Sequence, residues 1–326
     1  MRSVLLHLTA VHWTALAVAI ACQVAKLLTR SRAWHNLLLA AFPGSRLRWR
    51  TTAAAVLVSA GVNTAAPARL GDVVKVATVR RALGGRCCVA TVGATLVVEV
   101  ALDAVLAALL VGGVVLSGRL VAPGAVAGSL GRVLGEGLAK PWLLGAGVAV
   151  IIGLVAGACR LARRGRAGRA DRARRFASGV VRGLAGLRDP RWYISEIASW
   201  QVLSWCFRLC CVFFALRAFG IEATPTVALL VVAAQILSGV VPVAGGAGMQ
   251  QALVAVALTG HAGVAEAVAF SLGLQATVAL TNTVLAFGVG AAAVQRLGLG
   301  PARALAARRP AVDAAAALAE PAAAAA

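Results

Sequence analysis

The sequence predicts an all-α protein, a polytopic transmembrane bundle of about six to eight helices with two interrupted or re-entrant elements. Composition is the first observation: 60% of the 326 residues are hydrophobic and 13% are charged, whereas about a quarter of the residues in a soluble domain are charged. The second observation is that apolar runs of roughly 20 residues, enough to cross a bilayer, recur along the chain. These runs lie at 8–28, 89–117, 141–159, 193–219, 226–242 and 264–297.

Basic residues between the runs predict which loops face the cytoplasm. Residues 160–191 carry eleven arginines against Asp171 and Asp189, a local balance of +9. Such a stretch could bind nucleic acid, but it has only one tyrosine and one tryptophan near its end and no fold around it, so nucleic acid is not an expected partner. Because it lies between apolar runs, the positive-inside rule predicts a cytoplasmic loop that contacts anionic lipid headgroups.

The first interrupted element follows from a conflict between two other loops. Residues 29–50 carry five arginines, which predicts a cytoplasmic loop and an N-terminus outside. Residues 67–88 are basic as well, yet two consecutive loops cannot share a side if 51–66 crosses the bilayer. That segment offers only about 16 apolar or small residues, which is short for a crossing. The sequence therefore predicts a helix that enters the membrane and returns.

Residues 63–81, which read NTAAPARLGDVVKVATVRR, give this element its polar content. Pro67 suits the first turn of a helix, and Arg69 and Asp72 would share one face of that helix. The irregular backbone around Pro67 is tolerated at membrane depth only if it is buried in protein or lines a water-filled cavity. The alternative is a turn at the membrane surface with a solvated ion pair.

A second interrupted element is predicted at 238–264. An apolar run ends at Pro242, a glycine-rich break follows, and the next apolar stretch of about ten residues is too short to cross. Paired interrupted helices in the two halves of a membrane protein indicate a substrate site between them. The alternative is that the glycines serve close packing of helices.

Polar residues inside the apolar runs predict a polar cavity. Glu99 and Asp103 are four residues apart and share a helical face, and carboxylates at this depth need partners. The nearest basic residues of the membrane region are Arg69 and Lys75, which we predict as those partners. Two further runs carry polar stripes at helical spacing, namely Gln201, Ser204 and Arg208, and Ser271, Gln275 and Asn282.

At these residues the sequence resembles the lysylphosphatidylglycerol synthase transmembrane, or flippase-like, family. The family's first signature reads roughly N, three residues, P-x-R-x-G-E, and its second reads roughly P-x-P-G-G-x-G-x-x-E. A downstream acidic element of the family is matched in part by Glu99 and Asp103. The resemblance covers about residues 20–295. The signature positions matched here are Asn63, Pro67, Arg69, Gly71 and Asp72, then Pro242, Gly245, Gly246 and Gly248.

The chain departs from the family's pattern at five positions. Three of the departures remove a charge, so a divergent member with altered or lost activity is an open alternative. Asp72 and Gln251 stand where the family usually has Glu, Val100 and Gln275 where it usually has Arg, and Ala244 where it has Pro.

The resemblance implies a multi-pass protein of the cell membrane that binds or translocates a lipid, with its site between the interrupted helices. The partners it implies are membrane lipids of the anionic or polyprenyl-phosphate type. Arg69 would attract the phosphate, while the acids would balance charge or engage cationic or hydroxyl groups. The candidate substrate-binding residues are Asn63, Arg69, Asp72, Glu99, Asp103, Arg208, Gly245, Gly246, Gln251 and Gln275.

An enzyme is not expected, and no catalytic residue, metal or cofactor is predicted. The sequence has no phosphate-binding glycine loop and no nucleophile elbow, and its histidines and cysteines lack metal-ligand spacing. In the family, aminoacyl transfer belongs to a separate soluble domain. Here a flippase-like transmembrane domain is predicted at 1–297, and 298–326 is an alanine- and proline-rich tail predicted to be disordered.

Two other functions remain open. The chain could be a non-transporting membrane subunit that presents the 160–191 loop to a lipid-modifying or cell-envelope enzyme. It could also be a membrane-embedded transferase acting on polyprenyl-linked sugars, a reaction that the acids could serve but that no motif supports.

Overall fold

The structure, a computed structural model, describes residues 12–65, 70–84, 89–117, 189–240 and 248–297, with isolated positions at Ser178, Val181 and Leu184. Within these residues all regular structure is helical, as predicted. The helices are α1 (Trp13–Ala41), α2 (Trp49–Ala65), α3 (Leu70–Ala82), α4 (Val89–Leu116), α5 (Pro190–Ala218), α6 (Pro225–Val240), α7 (Met249–Ala257) and α8 (Val264–Leu297). The predicted run at 141–159, most of the basic loop at 160–191 and the predicted tail at 298–326 lie outside the described residues.

Four of the described helices, α1, α4, α5 and α8, are long and apolar enough to cross a membrane. At most 33% of the most apolar window of each is buried inside the protein. Large apolar side chains such as Leu280, Val284 and Phe287 of α8 are exposed. A surface of this kind is compatible with lipid rather than water. The predicted class, a helical membrane bundle, is confirmed.

Helix α1 continues well beyond the predicted run at 8–28. The prediction of a loop at 29–50 is therefore wrong for its first part, because residues 29–41 are helical. Arg30 lies inside the helix, which ends only at Ala41. Hydropathy falls here because the segment is polar, but most of its polar side chains have partners, namely those of Thr29, Arg30, Ser31, His35 and Asn36. The Asn36 side chain, for example, donates to the backbone oxygen of Glu196 at 2.7 Å. Paired polar groups are tolerated at depth, so the helix does not end.

Helices α2 and α3, of 17 and 13 residues, form a tight hairpin. A Cβ atom on Gly71 would lie 2.2 Å from the backbone oxygen of Ser59, so only glycine permits this approach. The Asn63 side-chain oxygen accepts a hydrogen bond from the Gly71 backbone N–H at 2.8 Å. Because the first N–H groups of a helix lack partners within the helix, Asn63 completes the start of α3.

The end of α2 lies near the middle of α1. Thr64, in the last turn of α2, accepts a hydrogen bond from Asn282, which in turn accepts one from Gln23 at 3.0 Å. Gln23 follows Trp13 by ten residues in a helix of 29, which is about 15 Å along α1. That depth suits a helix that turns back inside the membrane. The sidedness of the flanking loops, and with it the re-entrant path, stays a prediction.

The second short-helix pair consists of α6 and α7, of 16 and 9 residues. Helix α7 packs against α8, and α6 packs against α4 and α5. Helix α6 corresponds to the predicted run at 226–242 and is shorter than the four candidate spans. Helix α7 follows Gly248, whose φ of +112° favours glycine. The residues of the predicted glycine-rich break, 241–247, lie outside the described residues.

The described core consists of two apolar clusters. One contains Leu216, Val231 and Phe270, and the other contains Trp34 and Val79. Helices α1, α4 and α5 each contribute to both clusters. On α1 and α4 the main polar side chains lie in the interval between the buried residues of the two clusters, and on α5 Gln201 and Ser204 lie there too. This places these polar groups together inside the bundle.

Candidate functional site

Among the charged residues that the structure describes, the most buried is Glu99, on α4. Its side chain is 1% exposed. One carboxylate oxygen lies 2.6 Å from Arg30 Nε, and the other lies 3.2 Å from Lys75 Nζ. Both oxygens are therefore paired, as a carboxylate so far from water requires.

Asp103, one turn further along α4, extends this arrangement into an ion cluster of Arg30, Lys75, Glu99 and Asp103. Asp103 Oδ2 lies 3.4 Å from Arg30 Nη1. Asp103 Oδ1 accepts hydrogen bonds from Gln201 Nε2 at 3.1 Å and Trp205 Nε1 at 2.9 Å. The cluster holds two cations and two carboxylates, so its formal charges cancel.

The ion cluster ties α1, α3, α4 and α5 together. Lys75 is itself buried and lies over the ring of Trp34, with Nζ 4.8 Å from the ring centroid. The predicted pairing with Lys75 is confirmed for Glu99, whereas Asp103 pairs with Arg30, which was not predicted. The other predicted partner, Arg69, lies outside the described residues. Arg30, predicted to lie in a loop, instead lies within α1 and contacts both acids.

A polar cavity of about 370 Å³ lies beside the ion cluster, among α1, α2, α5, α6, α7 and α8. Residues of both pairs of short helices line the cavity. Thr64 lies at the end of α2, Gln235 lies near the end of α6, and Gln250 lies in the first turn of α7. The residues that line it are Gln23, Lys26, Thr64, Arg208, Cys211, Val212, Gln235, Gln250, Leu274, Gln275, Val278 and Ala279.

Two cations line this cavity, Lys26 of α1 and Arg208 of α5, and no described lining residue is acidic. Within the described part of the chain, neither cation forms an ion pair within 4 Å. Arg208 stacks on Trp205, with Cζ 5.0 Å from the ring centroid. The Ser204 hydroxyl donates to the backbone oxygen of Lys26 at 3.2 Å, which joins α5 to α1 at this level.

Four glutamines complete the polar lining, and two of them are held by neighbours. Gln275 accepts a hydrogen bond from Gln251 Nε2 at 3.1 Å, and Gln23 donates one to Asn282 at 3.0 Å. Gln235 and Gln250 make no side-chain hydrogen bond to any residue that the structure describes. The cavity thus combines positive charge with carboxamides that can both donate and accept.

The predicted candidate residues fall into four places. Arg208 and Gln275 line the cavity, and Gln251 contacts Gln275. Glu99 and Asp103 form the ion cluster. Asn63 and Asp72 belong to the α2–α3 hairpin, where Asp72 lies in the first turn of α3. The remaining three, Arg69, Gly245 and Gly246, lie outside the described residues.

The contribution of α1 to both sites was not predicted from the sequence. Gln23, Lys26 and Arg30 recur at spacings of three and four residues, which is one face of a helix. A polar stripe within a long apolar helix indicates an interior face, and this signal would have found all three. Gln235 stands alone in an apolar segment, and Gln250 has only its sequence neighbour Gln251 beside it, so no helical periodicity marks either residue. No group of three His, Cys, Asp or Glu side chains that could hold a metal occurs in the described ranges.

The fold and the cavity define a class: a helical membrane protein with a polar, cationic cavity at the ends of two short-helix pairs. The family model of the lysylphosphatidylglycerol synthase TM region matches residues 1–307. The chain belongs to this family, which places it among membrane proteins associated with lipid metabolism or lipid flipping. Neither a curated protein nor a solved structure matches the chain.

Proposed function

We propose that this protein binds a phosphate-bearing lipid of the cell membrane and moves it across the bilayer, with the headgroup in the polar cavity. The observation that carries the proposal is the cavity itself, which combines Lys26 and Arg208 with the ends of α2 and α6. In transporters, substrate sites lie where short or broken helices from the two halves of the chain meet.

The two cations give the cavity its chemistry. A phosphate is recognised by charge-assisted hydrogen bonds, and arginine can bind two of its oxygens at once. Lys26 and Arg208 come from different helices, so a phosphate between them would be held from two sides. The acyl chains would stay in the bilayer, against the exposed apolar surfaces of the long helices.

The ion cluster has a structural role in this proposal. The oxygens of Glu99 and Asp103 are already bonded within the protein, so these acids are not free to engage a headgroup. This differs from the role that the resemblance implied, in which the acids balance or bind groups of the lipid. Arg69 as a phosphate contact stays a prediction, and no enzymatic step is part of the proposal.

Lipid movement in reconstituted vesicles tests the proposal. The purified chain is placed in phosphatidylcholine vesicles with a trace of fluorescent phosphatidylglycerol, and loss of fluorescence on adding a membrane-impermeant quencher reports the outward fraction. We expect movement faster than in protein-free vesicles. Arg208→Gln should slow it at least tenfold, because one charge-assisted hydrogen bond contributes about 1.5 to 3 kcal/mol.

Arg217→Gln is the matched control. Arg217 lies on the same helix, is exposed, and does not line the cavity, so this variant should move lipid at the wild-type rate. Equal slowing in both variants would remove Arg208 from the site. A wild-type chain that retains lipid without moving it would instead support the alternative of a non-transporting membrane subunit.

A further inference from the structure

We infer that Trp205 is a positioning residue, which holds the guanidinium of Arg208 toward the cavity and keeps it apart from the carboxylate of Asp103. Trp205 itself does not line the cavity, so it acts through Arg208 rather than through contact with a ligand. The inference rests on the proposed function, in which Arg208 binds a phosphate, and it explains how that cation stays available.

Trp205 shares the inner face of α5 with two polar residues. Gln201, Trp205 and Arg208 follow one another at spacings of four and three residues, which is one face of a helix. Trp205 is buried, with 8% of the residue exposed. Gln201 contacts Asp103 of the ion cluster, whereas Arg208 lines the cavity, so Trp205 lies between the two sites.

The indole of Trp205 uses its edge and its face for different partners. Its Nε1 donates to Asp103 Oδ1 at 2.9 Å, and this hydrogen bond fixes the orientation of the ring. The ring lies against Arg208, with Cζ 5.0 Å from the ring centroid. That distance is within the roughly 6 Å over which a cation and an aromatic face attract each other. Asp103 therefore orients the ring on which the guanidinium rests.

The carboxylate of Asp103 is the reason that Arg208 needs this support. Arginine and carboxylate form strong charge-assisted hydrogen bonds, and such a pair would turn the guanidinium away from the cavity. In the structure the charged atoms of Arg208 and Asp103 are not within 4 Å of each other. Asp103 Oδ1 is instead bonded to Trp205 and Gln201. The indole thus occupies a contact that Arg208 could otherwise make.

Retention of phosphatidylglycerol by the full chain, measured by native mass spectrometry, tests this role. Trp205→Leu removes the ring and should weaken retention about fivefold, because the cation–π contact no longer places Arg208. Trp205→Phe keeps an aromatic face and should stay within about twofold of the wild type. Trp200→Leu, the same change on the same helix at a residue that does not line the cavity, is the control and should leave retention unchanged.

Two backgrounds separate positioning from a general effect on the fold. Arg208→Gln leaves no guanidinium to position, so adding Trp205→Leu to it should change retention by less than about twofold. Asp103→Asn removes the competing carboxylate, so Trp205→Leu should weaken retention less there than in the wild-type chain. If Trp205→Leu does not fold, Trp205→Met, whose side chain adapts better to gaps, gives the same comparisons.

Two results would overturn the inference. An equal loss of retention on Trp205→Leu in all three backgrounds would show that Trp205 supports the fold alone. A loss in Trp205→Phe as large as in Trp205→Leu would show that the aromatic face does not position Arg208.

The same measurements distinguish failure of the inference from failure of the proposed function. If the wild type retains phosphatidylglycerol and Arg208→Gln weakens that retention, but Trp205→Leu does not, the inference is overturned and the proposed function stands. If the wild type retains no more phosphatidylglycerol than Arg208→Gln does, Arg208 is not a phosphate contact, and the inference fails together with the proposed function.

Discussion

At the scale of single residues, Arg30 compensates the charge of two carboxylates in the interior of the bundle. It contacts Glu99 at 2.6 Å and Asp103 at 3.4 Å, while Lys75 supplies the second cation. Removing one member of a buried charge pair leaves its partner uncompensated, which is costlier than removing both. The ion cluster therefore acts as a unit.

Arg30→Met should lower the free energy of unfolding by about 3 kcal/mol, because it leaves Glu99 with one cation and Asp103 with none. Thermal unfolding in detergent, followed by size-exclusion chromatography, measures the effect as a lower midpoint. Arg32→Met is the control, since Arg32 lies on the same helix and forms no ion pair with a described carboxylate. Adding Asp103→Asn to Arg30→Met should recover part of the loss, and a further loss would contradict the pairing.

At the scale of elements, the α2–α3 hairpin depends on the close approach of Gly71 to α2. We expect Gly71→Ala to destabilise the protein by about 1 to 3 kcal/mol, because the added Cβ would meet the Ser59 oxygen at 2.2 Å and the backbone would have to shift. The midpoint of thermal unfolding measures this as well. The residue is part of the family signature, and this contact gives that position a packing role.

Gly93→Ala is the matched control for that prediction. Gly93 lies inside α4, and a Cβ atom there would meet nothing within 4 Å. Alanine is favoured over glycine in a helix interior by about 1 kcal/mol, so this variant should be neutral or stabilising. A similar loss of stability in both variants would mean that the Gly71 contact is not what holds the hairpin.

The sequence predicts these elements well where hydropathy alone decides them. The predicted runs at 89–117 and 264–297 agree with α4 and α8 within one residue. Hydropathy did not predict where α1 ends, because the polar residue Arg30 lies inside the helix rather than after it. Its partner Glu99 is 69 residues away in sequence, and helical periodicity identifies the face of a residue without identifying its neighbour.

The candidate site was predictable to a similar degree. The polar stripes on two runs correctly placed Arg208 and Gln275 on interior faces, and both line the cavity. Lys26, the second cation of the cavity, was not predicted, although it belongs to the polar stripe of Gln23, Lys26 and Arg30 on α1. The cavity itself depends on how α1, α5 and the short helices pack, and that arrangement is a tertiary property that no single segment encodes.

At the scale of the whole molecule, the ion cluster and the cavity are consecutive levels of one polar interior. Lys26 of the cavity and Arg30 of the ion cluster lie four residues apart on α1. Trp205 links the two levels, since its Nε1 donates to Asp103 while its ring lies against Arg208. The neutral cluster thus holds the helices in place, and the cationic cavity beside it is left to interact with a ligand.

This division of roles predicts that Lys26 and Arg208 act together on one headgroup, although they come from α1 and α5. Lys26→Gln and Arg208→Gln should each weaken phosphatidylglycerol retention about tenfold. If both cations bind the same phosphate, the double variant should lose less than the product of the two single losses, because residues that share a partner are not additive. Native mass spectrometry of the four proteins measures this coupling. Lys26→Gln combined with Arg217→Gln is the reference for independent sites, and strict additivity in the Lys26 and Arg208 pair would show that they do not share a phosphate.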